Sequence, residues 1–156
     1  VVTIADINQE LLEKVRKKYG VTIYSGNDLY SEEMDIYAPC ALGATINDDT
    51  INKFKAKVIA GSANNQLANE QKHGKLLQDK GIVYAPDFLI NAGGIINVYA
   101  ELEGYDKKES MRKTENIYNT TLEILNNAKT HNITTNEAAL NIAQNRIDTR
   151  KAENKR

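Results

Sequence analysis

The sequence predicts an α/β fold, a mostly parallel sheet with helices on both faces, followed by C-terminal helices. Three observations carry this. Short apolar, β-branched runs alternate with amphipathic helical stretches through the first two thirds of the chain. Glycine closes several of the helical stretches, and Pro39 and Pro86 stop two of the apolar runs. Four of the stretches that follow strands are distinctive: Asp6, Cys40 to Gly43, Gly61 to Asn65 and Pro86 to Gly94. Strand alternating with helix at short spacing is the pattern of a parallel sheet, because each crossover helix packs back onto a sheet face.

The elements follow in order. Val1 to Ala5 is β-branched and apolar and reads as a strand. Asn8 is an N-cap for a helix whose stripe is Leu11, Leu12 and Val15, and Gly20 closes it. Val21 to Tyr24 is a second strand, and Asp35 to Ala38 a third, cut off by Pro39. Asn47-Asp48-Asp49 is expected to cap a helix carrying Ile51 and Phe54. Lys57 to Ala60 is a fourth strand. Asn69-Glu70 starts a helix with Leu76 and Leu77 inward and Gly81 at its end. Gly74 inside that helix costs about 1 kcal/mol relative to alanine and hints at close packing. Ile82 to Ala85 is the fifth strand, followed by a polar turn. A helical stripe of Ile95, Val98, Tyr99 and Leu102 then runs to Gly104. Lys107 to about Ala128 reads as one amphipathic helix with Met111, Tyr118, Leu122 and Leu125 on its inner face. Asn136 to about Ile147 reads as another, grouping Ala139, Ile142, Ala143 and Ile147. Arg146 to Arg156 holds seven charges in eleven residues and reads as a solvated, frayed tail.

Composition narrows the function classes. The 156 residues carry a net charge of −1, with 41% hydrophobic and 26% charged residues. That balance leaves no electrostatic footprint for nucleic acid or an anionic membrane. No apolar run approaches a membrane span. The single cysteine, Cys40, forms no internal disulfide and points to a reducing, cytoplasmic setting. It is expected to behave as a small buried apolar residue. His73 and His131 lie too far apart for a zinc motif, so no metal site is expected. The chain opens on a strand rather than on Met, which points to a piece of a longer protein.

In parallel sheets ligands bind outside the carboxyl ends of the strands. The four distinctive stretches are therefore expected to converge on one edge and to bind a ligand there. Asp6 has two readings. A carboxylate at a strand end commonly caps a turn. The other reading is the acid that hydrogen-bonds the ribose of a dinucleotide, which lies about 20 residues after a glycine-rich turn. Only five residues precede Asp6 here, so that turn and the strand before it would lie upstream of Val1. Asn64 and Asn65 either satisfy local backbone groups or present amides to a carboxamide or carboxylate. Gly93 and Gly94 either pack a helix closely on the sheet or open the backbone to a ligand.

Three segments carry a resemblance: Tyr37-Ala38-Pro39-Cys40-Ala41-Leu42-Gly43-Ala44, Ala60-Gly61-Ser62-Ala63-Asn64-Asn65-Gln66-Leu67, and Tyr84 to Asp87 with Asn91-Ala92-Gly93-Gly94. Together they resemble the glutamate, leucine, valine and phenylalanine dehydrogenase family, nearest its leucine branch. The resemblance implies a Rossmann-like sheet lacking its first strand. It implies NAD as cofactor and oxidative deamination of a branched-chain, leucine-like L-amino acid to its 2-oxo acid and ammonia. It implies that Asp6, Ile7, Ala41, Ala63, Asn65 and Asn91 lie along the cofactor, and that Asn65, Ile95 and Val98 face the substrate. The family's catalytic lysine has no counterpart here, so no catalytic residue is assigned. The intact enzyme is expected to be a homo-oligomer.

The expected organisation is a partial dinucleotide-binding domain over 1–104, C-terminal helices over 105–148 and a charged tail over 149–156. Read as it stands, the chain is either the cofactor part of such a dehydrogenase, inactive alone, or a non-catalytic nucleotide-domain fragment. From another class, it is a Rossmann-like scaffold that binds a protein partner through its terminal helices.

Overall fold

A computed structural model of the chain describes residues 1–102 and 104–153. Strand β1 (Thr3–Ile4) leads into helix α1 (Gln9–Tyr19) and strand β2 (Thr22–Ile23). A single 3-10 turn at Leu29–Ser31 precedes β3 (Ile36–Tyr37) and β4 (Val58–Ile59). Then come α2 (Glu70–Asp79), β5 (Val83–Tyr84), the one-turn α3 (Asp87–Ile90) and α4 (Gly93–Leu102). Helices α5 (Lys107–Glu115), α6 (Ile117–His131) and α7 (Thr135–Glu153) follow.

All five expected strands form and every pairing is parallel, but in two groups. β1 pairs with β2, and β3, β4 and β5 pair in that order. No pairing joins the groups among the described residues. Register in the larger sheet is even: Tyr37, Ile59 and Tyr84 lie side by side. Two residues on from each stand Pro39, Gly61 and Pro86, so the three chains leave the sheet at one level.

The helix ends are set locally. The Asn8 side chain accepts from the Leu11 N–H at 3.0 Å, and Asn69 does the same for Lys72 at 2.8 Å. Gly20 closes α1 at φ 69°, a left-handed conformation that costs glycine little. Gly74 is buried against Thr134, just before α7, so its missing side chain belongs to the packing of α2 on the last helix.

One core joins the β3–β5 sheet to α2 and to the Ile46–Ala56 segment. It holds Ile46, Ile51, Phe54, Ile59, Leu67, Leu77 and Ile82 with Tyr37 and Tyr84. Tyr30, Tyr37 and Phe54 stack around it, the last two with ring centroids 5.0 Å apart. A second core of Leu89, Ile124, Ala128, Ala138 and Ala139 docks α6 and α7 onto α3.

Several expectations need correction. The stretch after Asn47 makes turns rather than a helix. Asn47 Oδ1 accepts from the Asp49 and Thr50 N–H groups, and β4 begins too soon for a helix to propagate. The polar turn after Pro86 is the short helix α3. The long helix from Lys107 is two helices, interrupted at Asn116. Met111, Tyr118 and Leu122 face solvent, and the inner face of α6 is Ile117, Ile124 and Ala128. α7 runs to Glu153 rather than fraying after Ile147. Its distal half is held by Arg146 on Glu123 at 2.6 Å, Gln144 on Asp148 and Arg150 on Glu153. Asn136, Ala138 and Ala139 are its buried residues, whereas Ala143 and Ile147 are exposed. The last three residues of the expected tail lie outside the described residues. Cys40 is exposed rather than buried, because it lies in a loop beyond the end of β3.

Candidate functional site

The level exit of three strands stacks their loops against one another. The Ala63 N–H donates to the Pro39 carbonyl at 2.9 Å, and the Ala44 N–H donates to the Asn65 carbonyl at 2.7 Å. Contact this close needs glycine. A Cβ on Gly61 would lie 2.1 Å from the Pro39 oxygen, and one on Gly43 2.7 Å from the Asn64 oxygen. Gln66 is fully buried beneath the loop, and its Nε2 donates to the carbonyls of Gly61 and Ala63. Its Oε1 has no partner among the described residues.

The third loop is tied in by Asp87 and Asn91. Asp87 Oδ2 accepts from the Asn65 N–H at 2.6 Å, and Oδ1 accepts from the Tyr84 hydroxyl at 3.1 Å. Asn91 Nδ2 donates to the Asn64 side-chain oxygen and, at 3.4 Å, to the Ser62 carbonyl. The Asn65 backbone is left-handed, at φ 53°, which asparagine tolerates better than most residues. Its N–H and C=O are both engaged, and the residue itself is exposed. A shelf of small residues thus carries two exposed asparagines, of which Asn64 has its side-chain oxygen engaged by Asn91.

The predicted site residues fall into groups. Ala63, Asn65 and Asn91 are drawn together by these bonds, with Ala41 exposed in the loop that lies against Asn64 and Asn65. Ile95 and Val98 follow on α4, both exposed and three residues apart, hence on one side of the helix. Asp6 and Ile7 stand at the carboxyl end of β1, in the other strand group, and both are exposed. Asp6 Oδ1 accepts from the Asn8 N–H at 2.8 Å, the turn-capping arrangement, and the residue is exposed.

Two residues of the site were missed by sequence reasoning. Gln66 lies in a segment that carries the resemblance, but no signal in the sequence marks its buried side chain. Asp87 gave a faint one: an acid directly after a strand-ending proline and three residues beyond a tyrosine.

Burial first, and then the Asp87 charge, push the Tyr84 phenol far above its usual value near 10. Burial raises Tyr37 as well. A phenol whose folded-state value is raised favours the folded protein fully below about pH 10, and that favour is lost as pH climbs beyond it. Denaturant midpoints should therefore fall between pH 10 and 11.5, and less steeply in Tyr84→Phe. An identical slope in that variant would mean that Tyr84 does not drive the alkaline limb.

Two surface grooves lie elsewhere. One runs between α6 and α7, lined by Glu123, Asn127, Arg146 and Arg150, and the other lies at the amino ends of β4 and β5. Among the described residues no cluster of His, Cys, Asp or Glu could hold a metal ion, and no helix is long and apolar enough to cross a membrane.

Parallel strands with crossover helices, and loops gathered at the strands' carboxyl ends, define a Rossmann-like α/β unit with a ligand shelf. The chain belongs to the glutamate/leucine/phenylalanine/valine dehydrogenase family, whose sequence model matches residues 1–154. It is 46% identical over 148 residues to an L-tryptophan dehydrogenase of Nostoc punctiforme, covering 95% of this chain and 42% of that protein. It is 49% identical over 144 residues to a leucine dehydrogenase of Bacillus cereus, covering 92% and 39%. A phenylalanine dehydrogenase of Thermoactinomyces intermedius is also 49% identical, over 146 residues, with 92% and 40% covered. The chain thus spans about two fifths of the length of these relatives. The crystal structure of the Nostoc punctiforme L-tryptophan dehydrogenase superposes with a TM-score of 0.90, covering 94% of this chain and 44% of that one.

Proposed function

We propose that the protein carrying this chain oxidatively deaminates an L-amino acid with an apolar, leucine-like side chain, using NAD. The observation that supports this most is the strand-end shelf: three stacked loops that leave Asn65 exposed with its backbone N–H and C=O both engaged, within a chain of this family. Bound there, NAD would take up hydride from the substrate α-carbon, and water would release the 2-oxo acid and ammonia. The residues present fit that cofactor. Asp6 offers an exposed carboxylate for a ribose hydroxyl pair. The loop around Ala41 is small and exposed, and Asn91 lies beside the Asn64 amide.

On the substrate side, Asn65 is suited to hold a carboxylate through its amide, and Ile95 with Val98 to meet the side chain. Branched aliphatic walls disfavour charge strongly but separate neighbouring apolar side chains by only about 1–3 kcal/mol. This accords with relatives named for leucine, phenylalanine and tryptophan. The test is an assay of the complete gene product with NAD and, in turn, L-leucine, L-valine, L-phenylalanine, L-tryptophan and L-glutamate. NADH formation fastest with an apolar amino acid is expected. Preference for L-glutamate, or no formation with any, would overturn the proposal.

The cofactor choice has its own test. The Asp6 carboxylate should repel the 2′-phosphate of NADP. Asp6→Ser should lower the preference for NAD at least severalfold, mainly through a gain in NADP efficiency. An unchanged ratio would leave Asp6 with its turn-capping role alone.

A further inference from the structure

We infer that Asp87 is a positioning residue for this reaction, acting through Asn65; the inference rests on the dehydrogenase reading above. Asp87 and Asn65 lie 22 residues apart and meet only because β4 and β5 end at one level. The carboxylate divides its two oxygens. Oδ2 takes the Asn65 N–H at 2.6 Å, and Oδ1 takes the Tyr84 hydroxyl at 3.1 Å. A charged acceptor makes such bonds shorter and stronger than a neutral one does. Tyr84 is buried and fixed in the core, so it holds the carboxylate from below while the carboxylate holds the loop above. On its other side the Asn65 carbonyl accepts from Ala44.

The clamped residue is in the left-handed conformation, which asparagine tolerates but does not prefer, so the bonds on either side help to hold it there. Released from Asp87, the peptide would relax toward ordinary φ and swing its side chain away from the shelf. Asn64 cannot substitute, because its side-chain oxygen already accepts from Asn91. Asp87 thus fixes the direction of an amide that it does not touch.

The test compares five forms of the complete gene product: wild type, Asp87→Ala, Asp87→Asn, Asn65→Gly and the Asp87→Ala/Asn65→Gly double variant. Glycine at 65 keeps the left-handed backbone without strain and removes only the amide. kcat and KM for the preferred amino acid are measured at saturating NAD, together with the thermal midpoint of each form. Asp87→Ala should lower kcat/KM for the amino acid at least tenfold. Asp87→Asn should recover most of this, since its amide oxygen still accepts from the Asn65 N–H. In the Asn65→Gly background, Asp87→Ala should cost less than twofold, because the side chain being aimed is gone. An equal loss in both backgrounds, or no recovery with asparagine, overturns the inference and makes Asp87 a purely structural bond. A wild-type protein with no amino-acid dehydrogenase activity overturns the functional reading, and this inference with it. Activity with additive losses overturns this inference alone.

Discussion

Gly61→Ala should destabilise the protein by about 3 kcal/mol or more, the upper end of what overpacking costs. The added methyl group would lie 2.1 Å from the Pro39 oxygen and 2.5 Å from the Pro39 nitrogen. These are backbone atoms, and no rotamer change can move them aside. Nor can the two chains part easily. The Ala60 N–H donates to Tyr37 just before the contact, and the Ala63 N–H donates to Pro39 just after it. Relief therefore means breaking the β3–β4 ladder or lifting the loop that carries Asn65. Urea denaturation of Gly61→Ala beside Gly94→Ala measures the effect. Gly94 has open space around its missing side chain and negative φ, so alanine there should change stability by less than about 0.5 kcal/mol. Two variants of equal stability would show that the strand-end loops are looser than their packing implies.

Leu77→Ala should cost about 2–5 kcal/mol, as expected when a fully buried leucine leaves a cavity that its neighbours cannot fill. Leu77 has no exposed surface and packs in the core between α2 and the β3–β5 sheet. Native domains hold a net stability of only about 5–15 kcal/mol. The variant should thus lose a large part of the whole, and expression at growth temperature should fall with it. Leu76→Ala, one residue earlier and only partly buried against the same core, should cost clearly less. Equal losses would mean that α2 is rotated relative to its observed packing.

Features fixed within a few residues were legible in the sequence. Asn8, Gly20, Asn69 and Gly81 marked helix ends because capping is local chemistry. The five strands were legible from their β-branched runs. What depends on distant partners was not. The division of the sheet left no trace, since pairing is decided between residues far apart in the chain. The interruption at Asn116 has no proline or glycine to announce it. On α6 two apolar stripes compete, one through Tyr118, Leu122 and Leu125 and one through Ile117, Ile124 and Ala128. The first is bulkier, yet the second meets the α3 core, because helix burial follows what lies opposite. The site divides the same way. Its loops were legible as unusual strand ends, and the bond from Asp87 to Asn65 was not.

The separate pairing of β1 with β2 bears on motion. Among the described residues neither core takes a side chain from residues 1–24, and β1, α1 and β2 pack chiefly on one another around Leu12. With so little buried apolar surface, this unit should open while the rest stays folded. Amide hydrogens such as those of Thr22 and Tyr24, which bond across to β1, should then exchange with solvent well before that of Ala60. Asp6 belongs to this unit. A nucleotide that grips Asp6 would bind only its closed form, and so would slow exchange over residues 3–24 more than over the β3–β5 sheet. Part of the binding energy of such a nucleotide would be spent in stilling the segment that carries Asp6.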